Sequence, residues 1–250
     1  FAPIVVMWIA IRAWSVKRRL VRDVALFAGG CALVILPITI RNCTVGGDCV
    51  LIATNGGVNL YIGNNPGADG LAAVIPGDPL PWRDAYAVQV DRAERDLGRT
   101  LKASEVSSYY ARKAREYVRT HPGEALVRAF RKLGYFWSRW ENPNNQDIHF
   151  VTSTYTPIVR FLPLSFWIVA PLGIVGLVLT LRRPWEYLPL WGVVLVYMAV
   201  VTAFFVTARF RVPAVAILLV LAAHAVVWMV RAARARRWAP LAGALAGVVV

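Results

Sequence analysis

Two apolar blocks, residues 1–40 and 157–250, bracket a stretch of mixed composition, and no ordinary soluble fold can bury both of them. Several runs within the blocks approach the roughly 20 residues needed to cross a hydrocarbon core of about 30 Å. They are about Val24–Ile40, with Pro37 near its end, then about Ile158–Leu181, Tyr187–Ala208 and Val212–Val230. Shorter apolar runs stand at Phe1–Ala13 and Trp238–Val250. Backbone polar groups in lipid must be satisfied within their own segment, so these runs are expected to be helices. The chain opens inside an apolar stretch, without an initiator Met or a basic leader, and closes in a run of 13 residues. Both ends are therefore expected to be cut from a longer protein.

Charge follows the same division. Of 14 acidic residues, 12 lie in 42–155, where 13 Lys and Arg nearly balance them, so all but one of the net +14 comes from the flanks of the apolar blocks. Topogenic charge beside membrane helices explains this better than nucleic-acid binding, which needs a basic face on a folded domain. Lys17, Arg18, Arg19 and Arg22 form one basic cluster, Arg182 and Arg183 a second, and Arg231, Arg234, Arg236 and Arg237 a third. Counting spans between them puts all three on the cytoplasmic side and residues 42–156 on the outer side, which in a bacterium is the periplasm. The expected organisation is two transmembrane helices over 1–41 (the first truncated), an outer soluble domain over 42–156, and three transmembrane helices plus a truncated fourth over 157–250.

The fold class expected is an α-helical polytopic membrane protein carrying a mixed α/β, mainly helical loop domain. Val50–Ala53 and Val58–Ile62 read as short strands around Thr54-Asn55-Gly56-Gly57. Cys43 and Cys49, six apart around a Gly-rich turn, can form a local disulfide in an oxidising compartment. Asp84–Leu97 reads as a helix stopped by Gly98, and Ser104 as the cap of a second helix reaching about Arg119. A third helix starts near Pro122, with Glu124 at its positive end, and runs to about Trp140. Its apolar stripe (Leu126, Phe130, Leu133, Phe136 or Trp137, and Trp140) suits either a membrane surface or packing within the loop domain.

Metal and nucleophile chemistry find little support. His121, His149 and His224 are scattered and no ligand pair stands at metal spacing. His224 lies in a span, where it is either a packing residue or functional. Asp69 and Asp78 sit in loops, where carboxylates are usually solvated. Arg41, Arg160, Arg209 and Arg211 fall at the outer membrane boundary, where the charge bias disfavours Arg. Arg209 and Arg211, in Arg-Phe-Arg-Val-Pro, suit either a phosphate or pyrophosphate or simple snorkelling anchorage. Lys132 and His121 are weaker candidates for the same task.

Arg41-Asn42, the run Val50-Leu51-Ile52-Ala53-Thr54-Asn55-Gly56-Gly57-Val58-Asn59-Leu60-Tyr61-Ile62-Gly63-Asn64-Asn65-Pro66 with Gly70, Tyr117–Pro122, Lys132-Leu133 with Phe136-Trp137, and Arg209–Pro213 together resemble bacterial family 39-type glycosyltransferases. These are relatives of protein O-mannosyltransferases and of the aminoarabinose transferase that modifies lipid A. The resemblance covers most of residues 24–230 through spaced short motifs. It implies a multispan GT-C fold in the bacterial inner membrane, a polyprenyl-phosphate sugar donor, and a glycan, lipid or protein acceptor reached from the periplasm. It implies no nucleotide sugar and leaves room for a divalent cation in the full-length enzyme. The family's catalytic carboxylate belongs to an outer loop upstream of Phe1, so no residue of this chain inherits the role of general base. Arg209 and Arg211 would then face the donor phosphate. Asn55, Asn59 and Asn64 would offer amides to sugar hydroxyls, or serve only as turn residues. A surface-polysaccharide polymerase or ligase, and a non-catalytic sensor or transporter with an outer ligand-binding domain, are the competing readings. Uniformly apolar spans and the lack of an internal repeat argue against a transporter.

Overall fold

The structure is a computed structural model that describes residues 2–13, 17–71, 75–78, 82–143, 148–156, 158 and 165–236. Its helices are α1 (Ala2–Ala13), α2 (Lys17–Thr44), α3 (Gly56–Gly63), α4 (Trp82–Leu97), α5 (Ala103–Thr120), α6 (Pro122–Trp137), α7 (Ile148–Thr154), α8 (Phe166–Thr180), α9 (Pro184–Ala203) and α10 (Ala208–Arg234). Three of them, α2 from Arg19, α9 and α10, are long and apolar enough to cross a membrane, and α1 and α8 are shorter apolar helices. The protein is thus a helical membrane protein. The expected span over 158–181 is helical from Phe166, and Arg160 lies outside the described residues.

The chain divides into two compact units. The first gathers residues 1–12, 134–201 and 207–250. Its described core is Phe166, Val169, Ala170, Val194, Leu218 and Leu221. Here α8 packs on α10 because small residues let the backbones approach. A Cβ at Gly176 would stand 2.0 Å from the Leu221 carbonyl oxygen, and one at Gly173 would stand 2.8 Å from the Leu218 side chain. Small residues at a crossing are what membrane helices use in place of a hydrophobic driving force. The pairs 173/218 and 176/221 keep one register, so α8 and α10 run in the same direction. The turn after α8, with Arg182 and Arg183, therefore lies toward the end of α10 that carries Arg231 and Arg234.

The second unit is residues 13–133 with 202–206. No strand occurs among the described residues, so the expected mixed α/β loop domain is corrected to a helical one. Val50–Ala53 is irregular chain, and residues 56–63 form α3. Packing decides this against local β preference. The buried positions Gly57, Val58, Ile62 and Gly63 follow helical spacing, and they lay α3 against α5. A Cβ at Gly57 would fall 1.7 Å from the Ser107 carbonyl oxygen, while the Gly57 N–H donates to Ser107 Oγ at 2.9 Å.

The other helices follow their end signals. α4 stops before Gly98, whose φ of +67° reverses the chain. α5 begins one residue before Ser104, and Lys102 occupies the cap position. The Lys102 N–H donates to Glu105, and the Ser104 N–H donates to Asp48 of the Cys43–Cys49 loop, each at 2.8 Å. A carboxylate from 56 residues away thus caps the helix, and its bonds to Ser104 hold Asp48 below its usual carboxylate pKa. The Cys43–Cys49 disulfide is formed, and Cys31 is free on α2. α6 ends at Trp137, short of Trp140, and its stripe is divided: Phe136 is buried, whereas Leu126 and Phe130 are 59% and 65% exposed.

Candidate functional site

The sequence candidates fall into an α10 group in the first unit and a Lys132 group in the second. At the start of α10, Arg209 and Arg211 share a motif but not an environment. Arg211 is 2% exposed. Its guanidinium donates to the carbonyls of Phe136 (3.3 Å), Ser138 (2.6 Å) and Trp140 (3.0 Å) and pairs with Glu141 at 2.9 Å. It also lies 4.2 Å from the centre of the Phe166 ring. A planar fork with five donors suits such a set, because it can reach several carbonyls at once. Arg211 thereby ties the chain leaving α6 to the start of α10, and Ala208 N–H reinforces the tie through the Asn142 carbonyl at 3.0 Å.

Arg209 is exposed, its guanidinium 5.3 Å from the Phe210 ring, and no acidic side chain among the described residues pairs with it. It stands at the positive end of the α10 dipole, where an anion is favoured. Thr207, the residue before the helix, is fully buried with an Oγ1 that has no partner among the described residues. Arg209 and Arg231 are 22 residues apart on one helix, or about 33 Å at 1.5 Å per residue. That separation matches the thickness of a hydrocarbon core of about 30 Å.

In the second unit Lys132 is 1% exposed. Its ammonium donates to the Phe204 carbonyl (2.6 Å) and to Asn64 Oδ1 (3.2 Å). The Asn64 amide donates in turn to the carbonyls of Leu60 and Ala203, both at 2.8 Å. With the Val206 N–H on the Gly70 carbonyl, these bonds fasten residues 202–206 to the end of α3. Only glycine fits at position 63, where a Cβ would meet the Phe204 carbonyl oxygen at 1.8 Å. Burial, aided by the nearby Arg128 charge, pushes the Lys132 ammonium down to about 8. Arg128 donates to the Asn65 carbonyl (2.7 Å) and to Tyr117 Oη (3.1 Å), and Tyr117 donates to Glu124 at 2.7 Å.

The remaining candidates are dispersed. Arg41 is exposed in the last turn of α2. Asn55 is exposed at the start of α3, where its side chain makes no capping bond, and Asn59 is half-buried on that helix. His121 ends α5, stacked on Tyr117 with Nδ1 2.9 Å from Thr120 Oγ1. Asp69 turns back to accept the Leu71 N–H. Asp78 has a fully buried carboxylate held by Arg92 and Gln89, each at 2.9 Å. The His149 side chain lies outside the described residues. Among the described residues no cluster of His, Cys, Asp and Glu could hold a metal ion. Lys132 and Asn64 are thus brought together, while Arg41, Asn55 and His121 join neither them nor each other in any hydrogen bond or ion pair described above. Arg128 and Glu141 were not anticipated. Their partners lie 63 and 70 residues away, and no local pattern encodes such a distance. Comparison with protein-family models, with curated proteins and with solved structures returned no match.

Proposed function

We propose that the chain is the C-terminal part of a membrane glycosyltransferase of the GT-C type, which moves a sugar from a polyprenyl-phosphate donor to an acceptor on the periplasmic side of a bacterial inner membrane. The observation that carries the reading is Arg209, exposed and without an acidic partner among the described residues, at the positive end of a helix long and apolar enough to cross a membrane, on a turn that Arg211 holds in place. Departure of a lipid phosphate needs a fixed cation at the depth of the headgroups, and a helix N-terminus adds to the same field. The resemblance of the 41–70, 117–137 and 209–213 motifs to family 39-type enzymes supports the same assignment. The three basic clusters support an outer position for Arg209.

In this reading Arg209 contacts the donor phosphate, and Arg211 is a positioning residue. Lys132 and Asn64 brace residues 202–206, the approach to α10. Activation of the acceptor hydroxyl needs a base, which the resemblance assigns to a carboxylate upstream of Phe1. The test is sugar transfer from a polyprenyl-phosphate-linked donor by the full-length protein in liposomes. Transfer is expected, and Arg209→Ala lowers it by about 100-fold or more with normal insertion. If the folded protein transfers no sugar from any such donor, the assignment fails and the polymerase or ligase reading takes its place.

A further inference from the structure

The first unit holds a second polar feature, far along α10 from Arg209. A cleft of about 220 Å³ is lined by Leu179 near the end of α8, Arg182 and Arg183 in the following turn, Tyr187 at the start of α9, and His224 and Trp228 on α10. The parallel packing of α8 on α10 creates it. The register that pairs 176 with 221 brings Leu179 level with His224, and Arg182 and Arg183 follow in the turn beyond the end of α8.

Its lining has two chemistries. Arg182 and Arg183 bring two exposed side chains to the lining, and the one acidic side chain paired with them among the described residues is Glu186, at 3.5 Å from Arg183. No ion pair to Arg182 occurs among the described residues. The rest of the lining is Leu179, Tyr187 and Trp228, each half-buried, and the exposed His224, about 10 Å short of Arg231, seven residues on. A polar side chain inside an apolar span is costly unless it meets a polar partner. Basic pockets between membrane helices at a positively charged face bind anionic headgroups. A free phosphate would use the two guanidinium groups alone, whereas a lipid phosphate continuing into glycerol and acyl chain also meets the apolar side chains of the lining.

We propose that this cleft is a binding site for the phosphate headgroup of an anionic phospholipid in the leaflet that carries Arg182, Arg183, Arg231 and Arg234. The site is independent of the glycosyltransferase reading, since it lies at the other end of α10 from Arg209. The test is lipid retention by the full-length protein purified from nanodiscs of equal phosphatidylglycerol and phosphatidylcholine, read by native mass spectrometry. Wild type retains phosphatidylglycerol in preference. Arg182→Gln with Arg183→Gln lowers that preference by about 30-fold, the worth of two surface cations facing an anionic lipid. Arg234→Gln with Arg236→Gln removes two charges outside the cleft and leaves it unchanged.

Loss of the Arg182 and Arg183 charges could also misdirect insertion, so His224→Leu with Trp228→Ala, which keeps every formal charge of the neutral-His chain, is measured beside it. Reduced phosphatidylglycerol retention by that correctly inserted variant supports the site. Unchanged retention overturns it, as does an equal loss in the Arg234/Arg236 control. Displacement of the retained lipid by millimolar inorganic phosphate would overturn the lipid assignment in favour of a soluble anion.

Discussion

Among the described residues each unit buries one large cation, and the two are treated differently. Arg211 meets three carbonyls, a carboxylate and an aromatic face, so its charge is answered from nearly every side. Lys132 meets two neutral oxygens and has Arg128 as a charged neighbour. A guanidinium keeps its proton in any protein setting, whereas an ammonium responds to burial by losing proton affinity. Arg211 is therefore a permanent tie. Lys132 is a brace whose charge is held at a cost. The difference also separates Arg211 from Arg209, two residues away in sequence, which has nothing charged to answer it among the described residues.

The largest effect expected is from Arg211→Ala. It strands Glu141 and three carbonyls, and should cost about 3–5 kcal/mol, read as a drop in melting temperature and in the yield of inserted protein. Arg211→Lys should restore little, because one ammonium cannot span the same acceptors. Lys132→Met should cost less, about 1 kcal/mol at neutral pH, since losing two hydrogen bonds is offset by removing a buried charge. A loss as large as that of Arg211→Ala would erase the contrast between the two cations.

The pH dependence sharpens it further. Below pH 8 Lys132 is protonated in both the folded and unfolded chain, and the full burial penalty applies. Between about 8 and its ordinary 10.5 the unfolded chain binds more protons, so wild-type stability should rise with pH across that window relative to Lys132→Met. Parallel melting curves for the two proteins over that range would contradict the assignment. The smallest effect on stability belongs to Arg209→Ala, expected within about 0.5 kcal/mol of wild type by thermal melting.

How far this was legible in the sequence depended on the range of the interactions. Hydropathy gave the membrane helices α2, α9 and α10, because a span must be apolar along its own length. Helices α4, α5 and α6 were legible through Gly98, the Ser104 region and Pro122, which are local signals. Helix α3 was not. Val58, Leu60 and Ile62 alternate like a strand, and only the close approach of Gly57 and Gly63 to distant backbone makes the helical face the buried one. The same limit applies to the cations. The Arg-Phe-Arg motif marked both guanidinium groups as notable, yet the residues that occupy Arg211 lie about 70 positions earlier, so nothing local could tell it from Arg209.

In the proposed function Arg211 builds the start of α10 while Arg209 is left to meet the donor. This division of roles is tested most directly by the affinity of the full-length protein for a polyprenyl phosphate, measured for Arg209→Ala at a melting temperature equal to wild type. A fall of about tenfold or more, the loss of roughly one charge-assisted contact, is predicted. Unchanged affinity in Arg209→Ala, with affinity lost in a folded Arg211→Ala protein, would contradict the account.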